Sequence, residues 1–172
     1  MALDTPEPGP DPAPPAPLGE LRFHRLLVAI DGSGSAELAL SAAVTAARRD
    51  HATLTLLSVV PNVTAESGRW ITGGAPDPRT LQEDADAYAQ KTLRDAIGRL
   101  PEDLSVTSVV RHGKPGPEIV AQSMADTYDA ILLGARGLGR VGLLTGSVSS
   151  YVLHHATIPV FVAHAPPEQR PG

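Results

Sequence analysis

Short apolar runs alternate with longer stretches of helical period along most of this chain. Arg25 to Ile30 (RLLVAI) and Leu54 to Val60 (LTLLSVV) are nearly continuous in apolar residues, the pattern of strands covered on both faces. Ser105 to Arg111 (SVTSVVR) instead alternates polar and apolar residues, which predicts a half-buried or outer strand. Ala130 to Leu133 and Thr157 to Ala163 return to the continuous pattern and read as central or parallel strands. The first helix opens within Asp31-Gly32-Ser33-Gly34-Ser35, with Ser33 or Ser35 as N-cap and Leu38, Ala39, Ala42, Ala43 and Ala46 on its apolar side. Thr80 to Leu100 is the longest amphipathic segment. It sets Leu81, Ala85, Tyr88, Ala89, Leu93, Ala96 and Leu100 near one face and Glu83, Asp84, Asp86, Lys91, Arg94 and Asp95 on a solvated one. A third helix starts with Pro117 at its first position and runs to about Thr127, and a fourth opens near Ser147 and continues through Tyr151, Val152 and Leu153. Because parallel crossovers are right-handed, this alternation predicts an α/β fold: a single doubly wound five-stranded parallel sheet with helices on both faces.

The ends of the chain depart from that pattern. Residues 1–19 carry Pro6, Pro8, Pro10, Pro12, Pro14, Pro15 and Pro17 with almost no large apolar side chains, so they cannot bury enough surface to offset ordering and read as a disordered or polyproline-like tail. The expected organisation is this tail, one domain over 20–166, and a short C-terminal tail over 167–172. Pro61 to Arg79 has no period and contains Gly68, Gly73, Gly74, Pro76 and Pro78, as a functional or mobile loop would. Its Trp70, the only tryptophan, either covers a ligand or packs on a neighbour.

Composition narrows the function. The chain has 172 residues, is 42% hydrophobic and only 3% aromatic, which suits a Val, Leu, Ile and Ala core between sheet and helices. Absence of cysteine removes disulfides, thiolate metal sites and Cys nucleophiles together. A formal net charge of −5 argues against non-specific nucleic-acid binding. No apolar run reaches membrane-spanning length, and the N-terminus lacks the basic and apolar parts of a signal peptide. The expected compartment is the cytoplasm, with no membrane or nucleic-acid partner.

Candidate chemistry concentrates after the fourth apolar run. Gly134, Gly137, Gly139, Gly142 and Gly146 lead into Ser147, Val148, Ser149 and Ser150 at the start of a helix. Glycines let backbone N–H groups approach a ligand, and a helix start presents free N–H groups with partial positive charge, so the stretch reads as a phosphate cradle. Arg136 and Arg140 add full charge, either pairing with phosphate oxygens or standing as loop cations, and no acidic residue occurs from Ala130 to Ala163. Gly137-Leu-Gly139-Arg-Val-Gly142 matches G-x-G-x-x-G, yet it follows the fourth strand, and no acid stands where a ribose-binding residue belongs. The P-loop pattern is absent, and Gly32-Ser33-Gly34 falls short of a nucleophile elbow. Asp31, at the carboxyl end of the first strand, either meets a ribose hydroxyl or metal-bound water or merely caps the next helix. His154 and His155 fall at the end of the last helix, where they suit the dipole better than a metal.

At these residues the chain resembles the universal stress protein family. The resemblance rests on Gly134-x-x-Gly137, a spacer and Gly146-Ser147, with VAIDGS (Val28 to Ser33), HGKPGPEIV and IPVFVA, over roughly Arg22 to His164. It implies sheet order 3-2-1-4-5, a homodimer through strand five and, in the glycine-signature branch, ATP between strands one and four. Carried over, Ala29, Ile30 and Asp31 would line the adenosine end, with Val59 reaching the adenine. Gly134, Gly137, Gly139, Gly146, Ser147, Val148 and Ser149 would hold ribose and phosphates. The spacer Leu138 to Thr145 is one residue shorter than is usual in the family. The implied function is a nucleotide-responsive regulatory module taking ATP or ADP, with or without Mg²⁺, with at most slow ATP hydrolysis and with protein partners that the sequence does not name. The alternatives are a dimeric interaction protein of the same fold that takes no ATP, and a nucleotide-dependent hydrolase or nucleotidyl transferase using Asp31.

Overall fold

A computed structural model describes residues 21–62, 77–135 and 147–164. In chain order they form β1 (Arg25–Ala29), α1 (Gly34–Asp50), β2 (Thr53–Val60), α2 (Pro78–Ile97), β3 (Val106–His112), α3 (Pro115–Ala125), β4 (Ala130–Ala135), α4 (Ser147–His155) and β5 (Val160–His164). Every strand pairing is parallel, and the sheet order is β3-β2-β1-β4-β5, as expected. Trp70 and both tails lie outside the described residues.

Strand alternation divides the interior into two layers. Leu26, Val28, Leu54, Leu56, Ala130 and Leu132 face α1 and α2, where they meet Ala39, Leu40, Ala43, Ala47, Leu93 and Ala96. Leu27, Leu57, Ile131 and Leu133 face the other way, toward Ile119, Val120 and Val152 of α3 and α4. Central strands buried on both faces need the continuous apolar runs seen in β1, β2 and β4. The outer strand β3 is half-covered, which fits its alternating sequence.

Several local expectations shift. Ser33 is the N-cap of α1, its Oγ accepting from the Ala36 N–H at 3.2 Å. The buried stripe of α1 runs through Ala36, Ala39, Leu40, Ala43 and Ala47, whereas Leu38 and Ala42 face solvent. The helix is rotated so that alanines, which allow close approach, meet the sheet beside Leu40. Helix α3 begins at Pro115, two residues before the expected start, because both prolines fit a first turn whose N–H groups have no intrahelical partner. Tyr88 leaves the expected apolar face of α2 and is 62% exposed. Strand β5 is an edge strand; despite its apolar sequence, Val160 and Val162 are half-buried and Phe161 is 42% exposed.

Carboxylates fasten the start of β1. Asp129 accepts from the backbone N–H groups of His24 and of Arg25, the latter at 2.7 Å. The Arg25 guanidinium pairs with both oxygens of Asp126 and lies 5.2 Å from the centre of the Tyr128 ring. Asp50 accepts from the Phe23 N–H at 3.0 Å and from the Arg49 side chain. The Arg49 hydrogen bonds hold the Asp50 carboxyl down at about 2. Arg25 lowers Asp126. At Asp129, desolvation pushes upward, but the two backbone donors and nearby cations outweigh it, so the net direction is down. A carboxyl depressed in the folded state adds stability that is complete above its unfolded value and lost as pH falls through the folded one. Denaturant midpoints are therefore expected to fall steadily from roughly pH 5 toward pH 2. The gap between wild type and Asp129→Asn should narrow over the same range, and a gap independent of pH would contradict this assignment.

Candidate functional site

The carboxyl ends of β1, β2 and β4 and the first turn of α4 surround a cavity of about 590 Å³. It lies where the topology requires: the chain leaves β1 toward β2 on one side, while β4 flanks β1 on the other, so the crossovers diverge and leave a crevice. From β1 and the residues after it come Ala29, Ile30 and Asp31; β2 and the residue after it contribute Leu57 through Pro61; Leu133 and Gly134 come from β4. Helix α4 adds Ser147, Val148 and Ser149. Pro115 and Ile119 of α3 close one side, Ala85 and Tyr88 of α2 another, and Ala36 of α1 also borders the space.

Eight residues singled out from the sequence therefore share one cavity: Ala29, Ile30, Asp31, Val59, Gly134, Ser147, Val148 and Ser149. Arg136, Gly137, Gly139, Arg140 and Gly146 lie outside the described residues. Among the lining residues that sequence reasoning did not place at the site are Ser58, Pro61, Ala85, Tyr88, Pro115 and Ile119. For Pro115 the signal was its place between two glycines just past β3, whereas Ala85 and Tyr88 were assigned to the core by helical period alone.

Local sequence explains how each wall is held. The Ser33 N–H donates to Asp31 Oδ1 at 2.9 Å, Gly32 takes φ +78°, and Ser33 then caps α1. Asp31 thus shapes the turn and also borders the cavity. Gly134 has a steric reason to be glycine. A Cβ there would stand 2.5 Å from the Ala36 nitrogen and from the carbonyl carbon of Ser35, because β4 ends against the first turn of α1.

The electrostatics of the cavity are graded. Leu57, Val59, Val60, Pro61 and Ala85 make one end apolar. At the other, the start of α4 brings the positive end of its dipole and N–H groups without intrahelical acceptors. A groove of about 180 Å³ continues past Pro115, Ser147 and Val148 to Lys114 and Tyr151, adding a cation beyond that end. This arrangement suits a ligand with a flat apolar head and an anionic tail. His154 and His155 stand at the opposite end of α4, where their Nδ1–H groups donate to the carbonyls of Ser150 and Tyr151 at 2.7 and 2.8 Å. They complete the helix terminus.

The sequence model of the universal stress protein family matches residues 22–164. The chain belongs to the universal stress protein family. It is 29% identical over 146 residues to a universal stress protein of Bacillus subtilis, covering 81% of this chain and 98% of that one. A universal stress protein of Mycolicibacterium smegmatis is 31% identical over 152 residues, with 82% of this chain covered, but the match spans only 48% of that longer protein. Among solved structures, the universal stress protein UspA of Lactobacillus plantarum superposes with a TM-score of 0.68 at 27% identity, covering 84% of this chain and 99% of that one. The same fold occurs in an Arabidopsis thaliana universal stress protein family protein with AMP bound (TM-score 0.59, 17% identity, covering 87% and 97%). It occurs as well in a universal stress protein in complex with cAMP (TM-score 0.53, 20% identity, covering 84% and 98%).

Proposed function

We propose that this universal stress protein binds ATP in the cavity at the carboxyl ends of β1, β2 and β4 and works as a nucleotide-responsive regulatory module. The observation that carries this reading is the grading of that cavity, apolar beside Val59 and Val60 and electropositive at the start of α4. A nucleotide is such a ligand. Its base lies toward Val59, its ribose hydroxyls donate to Asp31, and its phosphates meet the N–H groups of Ser147, Val148 and Ser149. The two solved relatives holding AMP and cAMP support an adenine nucleotide as the class. The groove leading on to Lys114 favours the longer phosphate chain of ATP over either.

Occupancy has a short route outward. Helix α4, which receives the phosphates, runs directly into β5, whose outer edge carries no pairing among the described residues and exposes Phe161. A second copy adding its own β5 there would cover that edge and make a homodimer whose seam responds to the nucleotide. Equilibrium dialysis of nucleotide-stripped protein against ATP and Mg²⁺ tests the binding step. Excess ATP on the protein side, approaching one equivalent per chain, is expected, and equal concentrations on both sides would overturn the reading.

A further inference from the structure

Tyr88 is the only aromatic side chain among the described walls of the cavity. It does not behave as a packing residue. The buried side of α2 is made by Ala89, Leu93 and Ala96, whereas Tyr88 is 62% exposed. The ring reaches from α2 to the turn after β1, where its hydroxyl oxygen lies 3.0 Å from the point a Cβ on Gly32 would occupy. Gly32 has φ +78° and no side chain, so the turn that carries Asp31 leaves room for the phenol. One turn earlier on the same helix, Ala85 joins Val59, Val60 and Pro61 in lining the apolar end of the cavity. An accessible aromatic ring beside an aliphatic surface is suited to a flat heteroaromatic group, because face contact with a ring gains more than its area alone.

We infer that Tyr88 is the residue that selects the base: its ring is a shelf for a purine, so that purine nucleotides are held in preference to pyrimidine ones. This rests on the nucleotide reading above and adds to it the part of the site that discriminates between bases. A purine covers more of the ring than a pyrimidine does. The hydroxyl lies over the side-chain-free Gly32; the ring face makes the selection.

The test is calorimetric titration of wild type, Tyr88→Phe and Tyr88→Ala with ATP, UTP and inorganic tripolyphosphate. Removing a stacking partner is expected to weaken ATP by about tenfold, by the usual size of base–aromatic stacking. UTP should weaken less, so an ATP preference of about tenfold or more in wild type falls to about threefold or below. Tripolyphosphate binding should not change, and Tyr88→Phe should behave as wild type. Because Tyr88 is largely exposed, both variants are expected to keep the wild-type melting temperature. The inference is overturned if Tyr88→Ala keeps the wild-type affinity and preference, if wild type binds ATP and UTP equally, or if Tyr88→Phe loses as much as Tyr88→Ala. Wild type that binds no nucleotide defeats the nucleotide reading itself, and this proposal with it.

Discussion

Replacing Gly134 by alanine is expected to destabilise the protein by about 3 kcal/mol, the upper part of the range for forcing a methyl group into a packed interior. The added carbon would meet backbone, since the Ala36 nitrogen and the Ser35 carbonyl carbon both stand 2.5 Å from it, well inside ordinary contact. Backbone at the start of a capped helix does not swing aside. Accommodation requires moving the first turn of α1 away from β4, which opens the layer around Ala36, Ala39 and Leu132. For a chain of this size that loss corresponds to a fall of roughly 6–12 °C in melting temperature. Gly116→Ala is the matched control. Its new Cβ would meet the side chain of Tyr151, Cδ1 at 2.8 Å and Cβ at 3.0 Å, so α4 has to give by a few tenths of an ångström, but no backbone of a neighbouring element stands as close. Its cost is expected to be about 1 kcal/mol. Thermal melts of the two variants check this, and a Gly134→Ala melting temperature within about 2 °C of wild type would show that the contact is slack.

The Gly134 result bears on how glycine signatures are read. From the sequence, Gly134 belongs with Gly137 and Gly146 as a ligand-approach glycine, whereas its environment gives it a packing duty at the crossing of β4 and α1. Both duties fall at the end of one strand, which is why sequence alone cannot separate them. The fold was legible because β1, β2 and β4 are buried on both faces and must be apolar throughout, while β3 at the edge must alternate. Strand β5 is parallel, as its composition implied, but lies at the edge rather than the centre. Its residues are as apolar as a central strand's, yet they cover only one neighbour, and the surplus is exposed at Phe161. Periodicity placed Tyr88 on the inner side of α2 because it lies beside Ala89. A tyrosine one position round from the buried stripe stays at the rim, and the rim here borders the cavity. Eight cavity residues were found because each sits at a strand end or helix start, positions that sequence marks clearly. Ala85, Pro115 and Ile119 come from helix interiors and first turns whose approach to the crevice depends on tertiary packing.

The second large effect is expected at Ser147, the first residue of α4 and exposed at the cavity edge. Ser147→Glu should act in opposite directions on stability and on binding. A carboxylate in the first turn interacts favourably with the helix dipole, by about 0.3–1 kcal/mol, so the melting temperature should hold or rise slightly. The same charge would stand where the proposed site receives the phosphates. Two like charges about 4 Å apart in a partly screened site repel by up to roughly 4 kcal/mol, and a loss of about hundredfold in ATP affinity is expected after relaxation. Because the variant is no less stable, unfolding cannot account for such a loss.

Calorimetric titration of nucleotide-free wild type and Ser147→Glu with ATP and Mg²⁺ therefore addresses most directly whether the electropositive end of the cavity holds phosphate. Saturation near one ATP per wild-type chain, with affinity about a hundredfold weaker in a variant of undiminished melting temperature, is the predicted result. Wild-type affinity in Ser147→Glu, or no saturable heat from wild type, would contradict it.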